Sequence, residues 1–590
     1  MRRPALTRTL LIVLLLDLML QGFGLWRSVG VNPSLLNLAG DAEEYWNLAG
    51  EIAAGHLVAE TPFLSAPLYP YFVGLARALG GGLVSVFVLQ LVMRSLTAWL
   101  LAKSANRLFG HLGFGLATAI TFLWLQEPAY YAVRLLNSSL QLLTLSALVY
   151  ACIAWRDAWT NKRLGGLGGL LGISILSNPG LLITLPFFAW WLGVRPQQWK
   201  QTGLAIGTAL LCLLPATIHN ALATSGSEGG TEFILLSAQA GVTFSHGNSA
   251  GAVGTYKPLD GVSMNRAEQN ADAYRVAAEA TGDPGWAKTS SYFFHQGLDY
   301  LLANPVDAIA LEFAKLRWFF CGRNYGDLYQ INLENADPEW PRQVPLPGGL
   351  LELGWILPAA FFGLVLLIRR DRKHAIPIAA LLLGTLFVVV VFWYSPRYRL
   401  PAAPLAALLA PWAIFEAARL LKHQGNWMLM ATLAFLPGAI LEGWSRSTDF
   451  DPLDDVRAQY DLHIGLQRMN SKDFLHARPR LESALAGGVV RADVHSGIAE
   501  CMVQEGSALD QLGKRAEADA LYLQAIEHYR SAVRLNPSRL DAGFSLGSVL
   551  FFMQQKEEAR TVLQSTLVEA ELQNNSEMVA RLRQMLAQIK

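Results

Sequence analysis

"LGGLGGLLGISILSNPGLLITLPFFAWWLGV", residues 164–194, is an apolar stretch too long for one membrane-spanning helix and short for two. Asn178-Pro179-Gly180 interrupts it near the middle. A proline inside a helix removes a backbone hydrogen bond and clashes with the preceding turn, so the stretch predicts two short helices that break at Asn178-Pro179. Whether it crosses a membrane once or twice decides on which side every later segment lies.

The rest of the chain is rich in similar apolar runs. Its 590 residues are 52% hydrophobic, with 17 Trp, 27 Phe and a mean hydropathy of +0.29. This composition is too apolar for a single soluble domain and predicts a polytopic membrane protein. Runs of the length that a spanning helix needs lie near 9–26, 83–102, 112–126, 137–155, 201–219, 349–368, 375–394, 402–420 and 427–443.

Basic residues decide between one crossing and two, because loops rich in Lys and Arg stay preferentially in the cytoplasm. Such loops contain Lys103 and Arg107; Arg156, Lys162 and Arg163; Arg195 and Lys200; Arg369, Arg370, Arg372 and Lys373; and Arg419 and Lys422. These loops lie on the same side of the membrane only if residues 164–194 cross it twice. The sequence therefore predicts about eleven spans in residues 1–443, a cytoplasmic N-terminus, and outer segments at 27–82 and 220–348.

The tail, residues 446–590, consists of amphipathic helix pairs with small residues at recurrent offsets. "AIEHYRSAVRLNP", residues 525–537, resembles the second helix and exit proline of a tetratricopeptide (TPR) repeat. "FSLGSVLFFMQQKEEARTVL", residues 544–563, resembles a first helix running into a second. We predict an α-solenoid of about three degenerate TPR repeats that binds a peptide or protein on its concave face, outside the cytoplasm.

The first outer segment places a cluster of carboxylates close to the membrane. In "AGDAEEYWNLAGEIAAGHL", residues 39–57, Asp41, Glu43 and Glu44 precede apolar residues at helical spacing. This pattern predicts an interfacial amphipathic helix with acids near its start. The plainest interpretation of Asp41 is structural, because Gly40-Asp41 is a good capping sequence for such a helix.

A reaction at the outer face would use these charges. Transfer of a sugar from a polyprenyl phosphate needs a carboxylate to deprotonate the acceptor hydroxyl and cations near the phosphate, which leaves without a general acid. Asp41 is the candidate base. Arg397 and Arg399, in "WYSPRYRLPAAP" at 393–404, offer planar guanidinium groups where a span re-enters the membrane. Their plainer role would be to anchor this turn at the lipid headgroups.

Three motifs together resemble the GT-C glycosyltransferases of the protein O-mannosyltransferase and aminoarabinose-transferase kind. "GDAEEYWNLAGEIAAG" with "TPFLSAPLYPYF", within 40–72, resembles their first outer loop. "SPRYRLPAAP", 395–404, resembles their late arginine-rich re-entry motif. "SAQAGVTFSHGNSAGAVGTY", 237–256, resembles an outer-loop segment of bacterial relatives with TPR tails. The resemblance covers roughly residues 10–443 in layout.

The resemblance implies a GT-C fold and a set of roles. In that family the first-loop Asp is the catalytic base, which corresponds to Asp41, and late arginines contact the lipid phosphate, which corresponds to Arg397 and Arg399. This sequence departs from the eukaryotic Asp-Glu pair by having "GDAEEY", which leaves the role of Glu43 and Glu44 open. It also has "SNPG" at 177–180, where relatives often carry a basic residue before the proline.

Six further residues are candidates for substrate contact, each beside a plainer role: Glu44, Tyr69, Glu127, Arg134, His246 and Asn248. Glu44 follows Asp41 by three helical positions and shares its side. Tyr69 suits sugar stacking as well as an aromatic belt at the interface. Glu127 and Arg134 flank a short outer turn and would as readily pair with each other.

No set of carboxylates, histidines or cysteines shows metal-ligand spacing, although Asp41 with Glu43 would be able to touch a divalent ion. No Walker loop or dinucleotide fingerprint occurs, in agreement with a lipid-linked donor. We expect no cofactor and leave a divalent metal open. The four scattered cysteines are interpreted as packing residues: Cys152, Cys212, Cys321 and Cys501.

The sequence thus predicts an inverting membrane glycosyltransferase with a polyprenyl-phosphate sugar donor, a protein, glycan or lipid acceptor, and no nucleic-acid partner. It would be a multi-pass protein of the plasma (inner) membrane with a periplasmic TPR-like tail. One alternative is an undecaprenyl-diphosphate oligosaccharide ligase or polymerase, in which His246 would matter more than Asp41. The other is a non-catalytic scaffold whose tail gathers envelope assembly factors, in which Asp41 would be replaceable.

Overall fold

The computed structural model describes residues 3–38, 40–156, 158–193, 199–226, 229–263, 266–321, 330–339, 351–423, 453–573 and 575–589. Throughout these ranges the secondary structure is helical, and the only extended pairing in them is an isolated bridge between Leu125 and Leu351. Seven of the helices are long and apolar enough to cross a bilayer. The protein is therefore an all-α membrane protein with several candidate spans.

The chain divides into two compact units, the first made of Met1–Val31 and Leu38–Phe450 and the second of Asn32–Asn37 and Asp451–Lys590. The helices described in the first unit are α1 (Arg3–Ser28), α3 (Asp41–Ala53), α4 (Leu68–Ala78), α5 (Leu83–Phe109), α6 (Leu112–Trp124), α7 (Gln126–Tyr131), α8 (Ser138–Trp155), α9 (Asn161–Ser177), α10 (Leu185–Gly193), α11 (Trp199–Thr224), α12 (Ala240–Gly247), α13 (Arg266–Thr281), α14 (Trp286–Ala303), α15 (Pro305–Phe320), α16 (Ile331–Ala336), α17 (Leu353–Arg370), α18 (Arg372–Val391), α19 (Pro396–Arg399) and α20 (Ala402–His423). The remaining short helix of this part of the chain, α2 (Pro33–Leu36), belongs to the second unit.

The seven helices of spanning length match seven of the predicted apolar runs. They are Thr7–Ser28 of α1, α5, α8, α11, α17, α18 and Ala402–Leu420 of α20. The run predicted at 112–126 is the shorter helix α6. The run predicted at 427–443 lies outside the described residues.

The stretch 164–194 breaks where its proline predicts. Helix α9 ends at Ser177, and the Asn178 side chain accepts a hydrogen bond from the Gly180 amide at 3.1 Å. A 3₁₀ turn, Pro179–Thr184, then leads into α10. Helix α9 packs closely on α11, since a Cβ atom at Gly168 would lie 2.1 Å from the carbonyl oxygen of Ala205. The break thus yields two shorter apolar helices, neither of which reaches spanning length.

A buried ion pair joins two of the candidate spans. Arg94 of α5 donates to the carboxylate of Asp17 of α1, and both side chains are buried. Arg94 also donates to the carbonyl oxygen of Leu123 at 2.6 Å. A charged side chain within an apolar helix is costly unless it is paired, so this contact fixes α1 against α5. Neither residue was among the predicted candidates, although a charge inside an apolar run is a signal for such a partner.

The second unit is a series of helices in which each packs against the next. After α2 they are α21 (Leu453–Asn470), α22 (Phe474–Ala486), α23 (Ala492–Gln511), α24 (Arg515–Leu535), α25 (Leu540–Phe552), α26 (Lys556–Leu572) and α27 (Ser576–Gln588). The small residues at recurrent offsets are buried between them; a Cβ atom at Gly547, for instance, would lie 2.5 Å from Leu563. Asn37, next to α2, donates to the carbonyl oxygen of Gln467 in α21 at 2.9 Å.

Candidate active site

Asp41 and Arg397 form an ion pair at the start of α3. Arg397 Nη1 donates to Asp41 Oδ2 at 2.6 Å, across 356 positions of sequence. The Asp41 side chain is 25% exposed and the Arg397 side chain 18%, so neither is fully buried. The predicted base and the predicted phosphate ligand thus lie side by side at a partly open position.

Local sequence sets the position of each partner. Gly40 precedes α3 as its cap with a positive φ of 63°, a conformation that favours glycine. Asp41 is the first helical residue, so it is not the cap that the plainer interpretation assumes. On the other side, the Ser395 hydroxyl accepts a hydrogen bond from the Arg397 amide at 3.2 Å, and Pro396 begins the short helix α19.

Arg399 lies in different surroundings from Arg397. Its guanidinium is completely buried and donates to the Glu127 carboxylate at 3.2 Å, and the Glu127 side chain is also completely buried. It donates further to the carbonyl oxygens of Phe319 at 3.0 Å and Cys321 at 2.5 Å. These contacts occupy Arg399 inside the protein, whereas the expected phosphate contact requires an accessible guanidinium.

Glu127 and Arg134 do not pair with each other, which corrects that expectation. Glu127 also accepts a hydrogen bond from the Leu353 amide at 2.9 Å, at the start of α17. Arg134 donates to the buried carboxylate of Glu334, which also accepts from the Tyr130 hydroxyl. Both candidates are buried in polar networks among helices, and sequence reasoning identified neither partner because the pairs are distant along the chain.

Glu44 lies on α3 and Tyr69 lies on α4. The Ser65 hydroxyl donates to Glu44 at 3.0 Å. The buried Tyr69 hydroxyl donates to Gln90 Oε1 at 2.6 Å, and the Gln90 amide in turn donates to the Arg134 carbonyl oxygen at 2.7 Å. Tyr69 is therefore engaged within the protein, and neither a stacking face nor a membrane belt describes its surroundings. Gln90 was missed, although an amide inside an apolar run signals such a role.

The phenol of Tyr45, close to Asp41, is neutral. The ring of Tyr45 lies edge-on to Tyr69 with centroids 4.9 Å apart. Burial raises the pKa of the Tyr45 phenol, and the nearby Asp41 carboxylate raises it further. Tyr45 is consequently neutral at physiological pH and does not compete with Asp41 as a base.

His246 and Asn248 are held by the loop that follows α12 and by α15. His246 Nδ1 donates to the Lys257 carbonyl oxygen at 2.6 Å. Asn248 accepts from Lys315 Nζ at 2.7 Å, and Lys315, which sequence reasoning missed, also donates to the carbonyl oxygen of Val390 at 3.0 Å. Burial lowers the pKa of the Lys315 ammonium, while the adjacent Glu312 carboxylate opposes that shift. Asn248 thus ties the loop to the end of α18.

The third motif, residues 237–256, packs directly on the arginine-rich turn at 393–404. The Tyr394 amide donates to the Gly254 carbonyl oxygen at 2.8 Å, and the rings of Tyr256 and Trp393 lie 5.5 Å apart. Trp393 in turn contacts Tyr398, with ring centroids 4.9 Å apart. The tertiary structure therefore places α3, residues 237–256 and the arginine-rich turn at 393–404 against one another.

Chemically, this site pairs a partly exposed carboxylate with a partly exposed guanidinium. A carboxylate is able to accept a proton from a hydroxyl, and a guanidinium is suited to phosphate oxygens. Among the residues that the structure describes, no three His, Cys, Asp or Glu side chains are grouped to hold a metal ion. A scan against protein-family models finds no match to this chain, and a search of the curated proteins finds no similar sequence.

Proposed function

We propose that this chain is a membrane glycosyltransferase that moves a sugar from a polyprenyl-phosphate donor to an acceptor hydroxyl. The contact between Asp41 and Arg397 carries this proposal. Two residues that were selected separately, one as a base and one as a phosphate ligand, are brought together at a partly exposed position. A purely structural cap or a headgroup anchor would not require the two to meet.

In the proposed reaction Asp41 takes the proton of the acceptor hydroxyl as the oxygen attacks the anomeric carbon. A bond forms between that carbon and the acceptor oxygen, and the bond to the donor phosphate oxygen breaks, with inversion. The electron pair leaves with the polyprenyl phosphate, whose added negative charge Arg397 stabilises. Arg399 has a positioning role: its buried contacts hold the turn that carries Arg397.

The proposal includes an orientation in the membrane. The basic loops favour a GT-C arrangement of about eleven spans, in which α6, α9, the Pro179–Gly193 segment and the run at 427–443 also cross. The site would then open to the outer face of the plasma membrane. The helices of the second unit would form a TPR-like solenoid in the periplasm that recruits or orients a protein or glycan acceptor.

Purified wild type and Asp41→Asn test the proposal with a panel of polyprenyl-phosphate sugars in detergent. Loss of a general base lowers turnover by roughly 100-fold or more, while donor binding is retained. Glu43→Gln is the matched control, because it removes the same charge from an exposed position two residues further along α3 and should turn over like the wild type.

Equal turnover by wild type and Asp41→Asn would contradict the role of Asp41. Transfer from a diphosphate-linked oligosaccharide alone would indicate the ligase or polymerase instead. If no lipid-linked sugar is bound or consumed, the scaffold becomes the better description.

A further inference from the structure

The contact between Asp41 and Arg397 is too short for the reaction in which both are proposed to act. The two side chains meet at 2.6 Å. In inverting glycosidases, by comparison, the two catalytic carboxyl groups stand about 6.5–9.5 Å apart, because the sugar and the attacking oxygen must fit between them. The described state is therefore closed to the sugar and must open before reaction.

Charge gives a reason for that opening. The donor phosphate is an anion, as the Asp41 carboxylate is, and both are bound by the N–H groups of a guanidinium. Two anions held on one guanidinium repel each other at short range. A donor that binds Arg397 therefore weakens the hold of Arg397 on Asp41.

The surroundings indicate which group moves. The turn that carries Arg397 is held by the Ser395 cap and by the buried Arg399, whose guanidinium is fixed by Glu127 and two carbonyl oxygens. The Arg397 side chain itself is long and partly exposed. Movement of this side chain, rather than of the backbone, opens the contact at the least cost in packing.

We propose that the Asp41–Arg397 ion pair is a latch, which stays closed until the donor phosphate takes Arg397 from Asp41. This inference rests on the proposed function. It makes binding ordered, with the donor before the acceptor. It also activates the base, because a carboxylate that no longer accepts hydrogen bonds from a guanidinium binds a proton more readily.

Binding of undecaprenyl phosphate to the full-length protein in detergent tests the latch without knowledge of the sugar. Asp41→Asn should bind this lipid roughly three- to tenfold more tightly than wild type, since the carboxylate no longer competes for Arg397. Glu43→Gln should stay within about twofold of wild type, because it removes a charge but no partner of Arg397. Arg397→Ala should lose most of the affinity.

The outcomes separate the latch from the proposed function. If Arg397→Ala weakens binding but Asp41→Asn binds no more tightly than wild type, the latch is wrong and the phosphate site stands. Equal tightening in Asp41→Asn and Glu43→Gln indicates a general charge effect and also overturns the latch. If wild type and Arg397→Ala bind the lipid equally, Arg397 does not bind the phosphate, and both the proposed phosphate site and the latch are wrong. Asp41→Ser, which keeps a polar side chain at the helix start, replaces Asp41→Asn if that variant does not fold.

Discussion

Arg397 and Arg399 are two positions apart, yet their side chains have different physical roles. Arg397 is partly exposed and pairs with a partly exposed carboxylate, so the pair itself adds little to stability. Arg399 and Glu127 are both fully buried. Removing one member of such a pair leaves an uncompensated charge inside the protein, which is strongly destabilising.

Arg399→Ala and Arg397→Ala should therefore fail in different ways. We expect Arg399→Ala to lower the free energy of unfolding by about 3–5 kcal/mol, because Glu127 remains buried as a charge. Arg397→Ala should cost less than about 1 kcal/mol and lose phosphate binding instead. Thermal unfolding in detergent and lipid binding, measured on both variants, distinguish the two. A stable Arg399→Ala that loses only lipid binding would show that Arg399 contacts the phosphate after all.

Helix α12 approaches its neighbours so closely that two of its glycines have no room for a side chain. A Cβ atom at Gly241 would lie 1.7 Å from the Ser290 carbonyl oxygen, and one at Gly247 would lie 1.8 Å from the Phe392 carbonyl oxygen. Backbone atoms cannot yield as a flexible side chain does. This explains why the third motif is rich in small residues and how it reaches the arginine-rich turn.

Gly247→Ala should destabilise the protein by about 1–3 kcal/mol or more, since it forces α12 away from Phe392. Gly207→Ala is the control, because a Cβ atom at Gly207 in α11 meets nothing within 4 Å. That change should be neutral or slightly stabilising, as alanine favours a helix. Melting temperatures of the two variants provide the measurement. Equal melting temperatures would refute the close approach of α12.

Helices α23 and α24 are joined by a pair of histidines. His495 Nδ1 and His528 Nδ1 lie 3.0 Å apart. Burial lowers the pKa of both imidazoles, with further lowering of His495 by Arg534 and of His528 by His495 and Arg478, whereas Glu482 opposes the shift of His528. The folded protein thus takes up protons less readily here than the unfolded chain does.

This difference predicts a loss of stability in acid. A lowered folded-state pKa contributes stability that is present above the unfolded value of about 6.5 and is lost as the pH falls through the folded-state pKa. The melting temperature of the wild type should fall more between about pH 7.5 and about pH 5.5 than that of His528→Gln. His295→Gln, at an exposed position where the imidazole contacts Ser291, is the control and should follow the wild type. Identical pH profiles for wild type and His528→Gln would show that the pair does not act in this way.

At the scale of the whole molecule, the orientation in the membrane follows from the number of crossings. We expect alkaline phosphatase fused after Lys590 to be active and a green fluorescent protein fused there to be dark, because the tail is predicted to be outside. Fusions after Arg372, at the start of α18 in the basic segment 369–373, should give the opposite result. A fluorescent C-terminal fusion would mean one crossing more or fewer than predicted.

Much of the architecture could be predicted because it depends on local properties. The length of an apolar run determines whether a helix is able to span a bilayer, and seven predicted runs are such helices. Pro179 favours the break after Ser177, since it has no amide hydrogen and disfavours a helical conformation at Asn178. The carboxylates Asp41, Glu43 and Glu44 begin α3 as their pattern indicates. Asp41 and Arg397 were recognised as candidates from residue type, from their predicted position and from the resemblance to GT-C glycosyltransferases.

Which of these side chains meet could not be read from the sequence. The partners Asp41 and Arg397 are separated by 356 positions, and Glu127 and Arg399 by 272. Such pairs depend on how helices pack, and packing is the sum of many small contacts far apart in the chain. The sequence by itself determined the helices, their apolar lengths and the kinds of reactive group. Only the tertiary structure decided that Arg397 faces Asp41 while Arg399 is buried, because the direction of a side chain on a four-residue turn is set by what packs around it.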